Sequence, residues 1–166
     1  IKRRLSMIFA EILCIAVLNL NMPNANYACE QMEHVVNASE DVGIPAHILI
    51  ALIRYESNWH PRAKGKSGEC GLTQVLPQHT RDPKHTCKQL LDDPVISIYA
   101  GAKMLKRWIE KHGNGRIAKG LCGYNYGFRC GKRHGKKHRG WRYSRKIIKY
   151  SKKIKRQVYK TSEDGC

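Results

Sequence analysis

Apolar side chains recur every three or four residues in several stretches of the chain, which is the spacing of an amphipathic helix. The clearest is AHILIALIRY, residues 46–55, preceded by Pro45, a residue that favours the first turn of a helix. Further helices are predicted at 28–42, from 94 to about 112 with Asp93 as the cap and Pro94 as the first helical residue, at 115–123 and from about 142 to 160. No stretch alternates convincingly like a β-strand. The pattern predicts an all-α fold, with a loop rich in Gly, Pro, Lys and His over 60–92.

One acidic residue falls on the apolar face of the helix over 46–55. Glu56 follows Leu49 by seven residues and Leu52 by four, which places its carboxylate on the side that should be buried. Two ordinary explanations exist: the helix ends there and leaves the carboxylate in water, or the carboxylate pairs with a buried Arg or Lys. A functional explanation is that partial burial raises the pKa, so that Glu56 is a general acid able to protonate a glycosidic oxygen.

The chain of 166 residues is long enough for one domain with a modest core, and it is strongly basic. It has 31 Lys and Arg against 13 Asp and Glu, a net charge of +18, which predicts anionic partners. Residues 129–160 hold fifteen of the cations and no acid. This run is either a solvated face or a surface that holds the protein on stem peptides, teichoic acids or lipid head groups. Nucleic acid is not expected, because no motif for binding it appears.

Residues 1–28 have the organisation of a signal peptide or an N-terminal anchor. A basic start, IKRR, precedes the apolar LSMIFAEILCIAVLNL, and small residues follow in NANYA. Cleavage after Ala25 or Ala28 fits this pattern, and an uncleaved anchor fits it as well. We therefore predict an exported protein of the periplasm, or of the cell wall and extracellular space, with membrane anchoring through residues 1–28 as an open alternative.

Six cysteines lie beyond this segment, and an even number in an exported chain predicts disulfides. Short sequence separation favours the pairs Cys70–Cys87 and Cys122–Cys130. The pair that then remains is Cys29–Cys166. The rival interpretation is a zinc site, which the spacing does not favour because no CxxC pair occurs. No metal or organic cofactor is predicted.

Short motifs appear in order along the predicted elements. They are ESNWHPRA (56–63), GLTQVLP (71–77), DDPVISIYAGAKMLKRWIEKHGN (92–114), GYNYG (123–127) and YSRKIIKY (143–150). In order and spacing they resemble the soluble lytic transglycosylase family, whose fold is related to goose-type lysozyme. The resemblance implies a single lysozyme-like, all-α catalytic domain over 29–150, stapled by disulfides. Residues 151–166 are then a basic extension of the last helix.

The resemblance also assigns roles to residues at matching positions. Glu56 matches the family's one essential acid. The substrate-binding residues that it implies are Ser57, Gln74, Tyr124, Asn125 and Tyr143. Among these, Ser57 helps to position the sugar and orient the acid, Gln74 supplies an amide, and Tyr143 faces the acid with its hydroxyl.

Several positions depart from the family pattern. Thr73 and Leu76 replace two Met that line the sugar groove in the family, and Gly123 and Tyr126 replace two Ala around the Tyr-Asn pair. Glu69 stands shortly before the Gly-Leu motif. These changes affect the expected preference for particular sugar subsites, and they leave the acid untouched.

The implied reaction is cleavage of the β-1,4 bond between N-acetylmuramic acid and N-acetylglucosamine in peptidoglycan. Glu56 acts as acid and then as base, and the product carries a 1,6-anhydro ring. If Glu69 or Asp82 faces Glu56 across the cleft, the same fold acts as a hydrolysing muramidase instead. A third possibility is a cationic protein that acts on membranes or binds cell walls through its basic segment. Peptidoglycan strands are the implied partner, and a secretion, conjugation or phage assembly is a further candidate.

Overall fold

The computed structural model describes residues 2–131 and 138–164. Its α-helices are α1 (Lys2–Asn19), α2 (Ala25–Glu30), α3 (Met32–Val42), α4 (Ala46–Ser57), α5 (Cys87–Asp92), α6 (Pro94–Arg107), α7 (Ile117–Tyr126) and α8 (Arg139–Asp164). Shorter helical turns cover Pro77–His79, Trp108–His112 and Gly127–Gly131. Within the described residues no β-strand forms, and isolated bridges in the loop after α4 are the only extended pairing. The prediction of an all-α fold is confirmed.

Helix α4 forms the centre of the core. Its side chains from Ile48 to Ile53 are all buried, so other elements enclose this stretch on every side and not only along the apolar face that the spacing predicted. Helices α3 and α8 pack against it. The helix ends where Asn58 takes a left-handed conformation with φ of 52°, and the side chain of Asn24 donates to the Asn58 carbonyl at 2.7 Å. This stop places Glu56 in the last turn, at the edge of the core.

The start of α6 follows from its first residues. The Asp93 side chain accepts hydrogen bonds from the backbone N–H groups of Val95 and Ile96 at 2.8 and 3.2 Å, and Pro94 occupies the first helical position. The predicted cap is therefore confirmed. The helix continues directly into the π-helical turn Trp108–His112, so the predicted end near residue 112 is also confirmed.

Helix α5 is an element that the sequence analysis did not predict. It lies inside the stretch 60–92 that composition marked as a loop. Its start is fixed by a reciprocal cap: the Thr86 hydroxyl accepts from the Gln89 N–H at 3.2 Å, and the Gln89 side chain accepts from the Thr86 N–H at 2.8 Å. Apolar periodicity does not reveal a helix of six residues, because one and a half turns hold too few apolar positions.

Helix α8 carries the narrow apolar stripe predicted for the last helix. Ile147 and Ile154 are fully buried, and Tyr143 and Val158 pack against the same core. The helix contacts α1, α4 and α7. It extends a few residues beyond both predicted bounds, and its core contacts continue past residue 150.

The disulfide predictions are partly right. The confirmed pairs are Cys70–Cys87 and Cys122–Cys130. The predicted pair Cys29–Cys166 is wrong, because Cys29 is bonded to Cys14. The reason is that α1 and α2 pack together and bring these two Cα atoms within 4.6 Å. Cys166, the partner that the sequence analysis assigned, lies outside the described residues.

Helix α1 packs onto the rest of the fold. Leu13 and Val17 are buried in the same cluster as the side chains of α4. A targeting role for residues 1–28 stays a prediction, and cleavage after Ala28 would remove both α1 and the disulfide partner of Cys29. Among the described residues no single helix has the length and apolar character needed to cross a bilayer; α3 and α4 meet that test only as a pair bent by 120°.

Candidate active site

A cleft of about 240 Å³ opens beside the last turn of α4. The lining residues from α4 and the loop that follows it are Glu56, Glu69, Gln74, Val75, Leu76 and His79. Those from α6, α7 and the turns that follow them are Met104, Trp108, Gly123, Tyr124, Asn125 and Gly127. Polar and apolar side chains both line the cleft, and convergent polar groups of this kind give a ligand site its specificity.

Glu56 is half-buried in the wall of this cleft, and a defined contact holds its carboxyl. The hydroxyl of Tyr143, on α8, donates a hydrogen bond to Oε1 of Glu56. Burial raises the pKa of Glu56 from 4.5 to about 7, the hydrogen bond from Tyr143 opposes this rise, and the negative charge of Glu69 adds to it. Because burial dominates, a large share of Glu56 is protonated at neutral pH and can donate a proton.

Two tyrosines stand close to Glu56 as fixed hydrogen-bond donors. The hydroxyl of Tyr124, on α7, donates to the carbonyl oxygen of Thr73 at 2.7 Å. Burial, followed by the charge of Glu56, raises the pKa of Tyr124 and of Tyr143 well above its ordinary value. Both phenols therefore keep their protons across the physiological pH range.

The loop that carries Gln74 is tightly constrained. Gly71 has a φ of +78°, and a Cβ there would lie 2.2 Å from the carbonyl oxygen of Leu90, so only glycine fits. Nε2 of Gln74 donates to the carbonyls of Ala63 and Gly71 at 3.0 and 2.8 Å. The backbone thus uses both amide hydrogens of Gln74, and a contact of this side chain with a sugar would use the amide oxygen.

The cleft does not bring all the predicted site residues together. Asn125 is exposed and lines it beside Tyr124. Ser57 is 7% exposed, and its hydroxyl donates to the carbonyl of Ile53 at 3.3 Å. Ser57 and Tyr143 are both absent from the described residues that line the cleft, and Tyr143 is joined to it through Glu56. Contact between Ser57 and a sugar stays a prediction, and the observed hydrogen bond of its hydroxyl runs back to the preceding turn of α4.

Residues 73 and 76, the two positions at which this chain lacks the Met of the family pattern, have different surroundings. Leu76 lines the cleft. Thr73 is fully buried beneath it, where its hydroxyl donates to the carbonyl of Ser97 at 2.7 Å. A Cβ on Gly101 would lie 2.4 Å from the Thr73 side chain, so Thr73 fills the space which that glycine leaves on α6. The change at residue 73 therefore alters packing under the cleft rather than its wall.

The lining of the cleft separates the two candidates for a second acid and includes residues that were not proposed from the sequence. Glu69 faces the same cleft as Glu56, whereas Asp82, the other candidate for a second acid, is not among its described lining residues. Trp108 and His79 line the cleft as well and were not predicted from the sequence. Trp108 follows an apolar helical pattern that predicts core packing, and His79 lies in a loop without a local signal.

The chemistry available to the cleft follows from Glu56. A partly protonated carboxyl can release a proton, and the adjacent phenol of Tyr143 can then stabilise the carboxylate that remains. In residues 2–131 and 138–164 no group of three or more His, Cys, Asp or Glu side chains is placed to hold a metal ion.

A comparison with protein families agrees with this geometry. The family model of the transglycosylase SLT domain matches residues 33–147. The chain belongs to the transglycosylase SLT family. The matched region of the SLT domain contains Glu56 and every predicted substrate-binding residue. The family and the lysozyme-like, all-α fold predicted from the sequence are thereby confirmed.

Relatives of the SLT domain of this chain include the soluble lytic murein transglycosylases of Escherichia coli K12 and of Escherichia coli O157:H7. Each is 33% identical over 91 residues, which is 51% of this chain and 14% of the relative. The match therefore spans a small part of the length of these relatives. It supports the family assignment.

Proposed function

We propose that this SLT domain cleaves the β-1,4 bond between N-acetylmuramic acid and N-acetylglucosamine as a lytic transglycosylase. The observation that carries the proposal is Glu56, a half-buried carboxyl with its pKa raised to about 7 and with Tyr143 as hydrogen-bond donor. Family membership and the name of the relatives, soluble lytic murein transglycosylase, support the choice of peptidoglycan as substrate.

Glu56 begins the proposed reaction as the acid. Its proton passes to the glycosidic oxygen, the bond between that oxygen and the anomeric carbon breaks, and positive charge spreads over the sugar ring. Glu56 becomes a carboxylate, and the hydroxyl of Tyr143 stabilises it. The raised pKa suits this step, because the acid must hold its proton when the substrate arrives.

Glu56 then acts as the base. It accepts the proton of the 6-hydroxyl of the same sugar, and the oxygen of that hydroxyl attacks the anomeric carbon to close the 1,6-anhydro ring. Water is neither consumed nor released, and Glu56 ends the cycle protonated, as it began. Tyr124 and Asn125 line the space in which the sugar would lie.

Mass spectrometry of the soluble products from purified peptidoglycan tests the proposal. We expect fragments that end in the 1,6-anhydro sugar, and we expect Glu56→Gln to release them about 10²–10⁴-fold more slowly. Products with a reducing end, one water heavier, would identify a hydrolase. The absence of products from the wild-type protein would refute both reactions.

Glu69 favours a second candidate function, a hydrolysing muramidase. Oε2 of Glu69 accepts a hydrogen bond from the Ser67 N–H at 3.0 Å, and a Cβ on Gly65 would lie 2.1 Å from that oxygen. The loop thus has room for this carboxylate because residue 65 is a glycine. In the hydrolytic reaction Glu69 would take a proton from water, and the water oxygen would attack the anomeric carbon.

The Glu69→Gln variant separates the two candidates in the same product analysis. Gln keeps the size of the side chain and an oxygen for the Ser67 N–H. Loss of reducing ends with this variant would support the hydrolase. Anhydro products alone, from wild type and variant alike, would reject it.

We also propose that exposed cations of α8 hold the domain near an anionic cell wall, in an exported setting. This basic face consists of Arg139, Arg142, Lys146, Lys149, Lys152, Lys153, Lys155, Arg156 and Lys160. Attraction between such a face and stem peptides or teichoic acids weakens as salt screens the charges. If the protein instead acts only as a cationic polypeptide, Glu56→Gln would leave its effect on cells unchanged.

A further inference from the structure

A second cavity, of about 290 Å³, opens beside the cleft that contains Glu56. The two share Trp108, Gly123 and Gly127 in their walls, so they lie side by side. The other lining residues of the second cavity are Lys111, His112, Asn114, Lys119, Phe128 and Cys130. The reaction proposed above gives none of these six a role.

Three aromatic rings form one wall of this cavity. The ring centroids of Trp108 and His112 are 4.8 Å apart, those of Trp108 and Phe128 are 5.2 Å apart, and those of His112 and Phe128 are 4.9 Å apart. Phe128 is nevertheless 71% exposed. An aromatic ring held in place but open to water offers a flat surface for the apolar C–H face of a sugar ring.

The position of Trp108 depends on a glycine that departs from the family pattern. A Cβ on Gly123 would lie 2.5 Å from Cε3 of Trp108, so an alanine there would displace the indole. Alanine is the residue that the family resemblance leads one to expect at this position. The disulfide Cys122–Cys130 ties the turn that carries Phe128 to α7. Both features hold the aromatic wall in a fixed place, and both belong to this chain's own sequence.

Charge distinguishes this cavity from the cleft beside it. Lys111 and Lys119 line it, and no acid is among its described lining residues, whereas the cleft holds Glu56 and Glu69. Each stem peptide of a peptidoglycan strand carries several carboxylates, whereas a strand without peptides keeps only the one lactyl carboxylate of each N-acetylmuramic acid. The cations therefore suit a stretch of strand that still bears its peptide.

We propose that this second cavity is a substrate subsite that binds the next disaccharide of the peptidoglycan strand together with the carboxylates of its stem peptide. The apolar face of a sugar covers Phe128, and Lys111 and Lys119 pair with the peptide. The inference rests on the proposed function, because it extends the binding site for the same substrate into the neighbouring cavity.

The aromatic part is tested by binding, in the Glu56→Gln protein so that the ligand is not cut. The probes are purified peptidoglycan fragments of two and of four sugars, without peptides. We expect an added Phe128→Ala to weaken binding of the four-sugar fragment about tenfold and to leave the two-sugar fragment unaffected. Tyr159→Ala, which removes another exposed ring, on α8, is the matched control. Equal binding by the two variants would overturn the proposal.

The charged part is tested with the same four-sugar fragment carrying tetrapeptide stems. Lys119→Gln should remove the advantage of the peptide-bearing fragment, whereas Lys84→Gln, an exposed lysine in the loop before α5, should retain it. Equal effects of the two substitutions would refute peptide recognition at this site. If wild-type protein cuts peptidoglycan but Phe128→Ala does not change binding, only the proposed subsite is wrong. If wild-type protein does not cut peptidoglycan and the Glu56→Gln protein binds neither fragment, the proposed function fails as well.

Discussion

Helix α4 carries its one carboxyl half-buried at the edge of the core, whereas helix α8 carries its cations where water surrounds them. In α4 the side chains that precede Glu56 are almost all buried, and the carboxyl shares that environment. Helix α8 has ten Lys and Arg in 26 residues, and its buried side chains are confined to a narrow stripe. The two helices meet at the cleft, where Tyr143 of α8 contacts Glu56 of α4.

The difference shows how the surroundings of a charge decide its use. Burial makes ionisation of Glu56 unfavourable and so prepares one carboxyl for proton transfer. Exposure leaves the basic face of α8 hydrated, so that its cations act together and at longer range. The comparison predicts that substitutions in α4 change chemistry and stability strongly, whereas substitutions on the basic face change attraction to a surface.

The largest effect on stability is expected from Glu56→Gln. The pKa of Glu56 in the folded state, about 7, lies above its ordinary value of 4.5, so ionisation of Glu56 opposes folding. This cost to the free energy of unfolding is absent below pH 4.5, grows between pH 4.5 and pH 7, and is complete above pH 7. Removal of this penalty should raise the free energy of unfolding by about 2–3 kcal/mol at pH 8.5 and by little at pH 4. Denaturant unfolding at both pH values measures the difference. Glu33→Gln, at an exposed position on α3, is the control, and a gain independent of pH would contradict the expected burial.

Tyr143→Phe should have a smaller effect, and on a different quantity. The hydrogen bond from Tyr143 favours ionised Glu56, so its loss should raise the pKa of Glu56 further. The alkaline limb of the pH–rate profile should then shift to higher pH by about one unit. The maximal rate should fall about tenfold, because the carboxylate of Glu56 loses its hydrogen-bond donor. Tyr159→Phe, an exposed tyrosine on the same helix, should change neither. A shift of the alkaline limb to lower pH would show that Tyr143 does not stabilise the carboxylate of Glu56.

The sequence predicted the elements around Glu56 well because their signals are local. Apolar spacing indicated α4 and α8, and the Asp93-Pro94 pair indicated the start of α6. It could not reveal how residues far apart in the chain approach each other, which is why Trp108 was missed. Cys14 was missed as the partner of Cys29 for a related reason, because an apolar segment with targeting character gives no sign of packing beside α2.

The side-chain roles within the site were harder to predict than its location. Gln74 matches the family motif, yet its amide hydrogens bind the backbone of its own loop. Thr73 stands at a position that lines the groove in the family, yet here it is buried against Gly101. A motif fixes which residues come near the cleft; the rotamers and the neighbouring glycines decide which atoms face it.

The smallest effect on fold and chemistry is expected on the basic face. Lys149→Gln with Lys153→Gln removes two exposed cations one helical turn apart. In the Glu56→Gln background, which prevents cutting, we expect binding to intact peptidoglycan sacculi at low salt to weaken about tenfold, with unfolding free energy changed by about 0.5 kcal/mol or less.

The matched control for this pair is Arg81→Gln with Lys84→Gln, which removes the same charge from the loop before α5. If net charge alone attracts the protein to the wall, both double variants should weaken binding equally. If the basic face of α8 is the contact surface, its variant should bind more weakly, and the gap between the variants should close as salt rises because screening removes the contribution of both sites. A gap that persists at high salt would mean that packing or hydrogen bonds, rather than charge, join α8 to the wall.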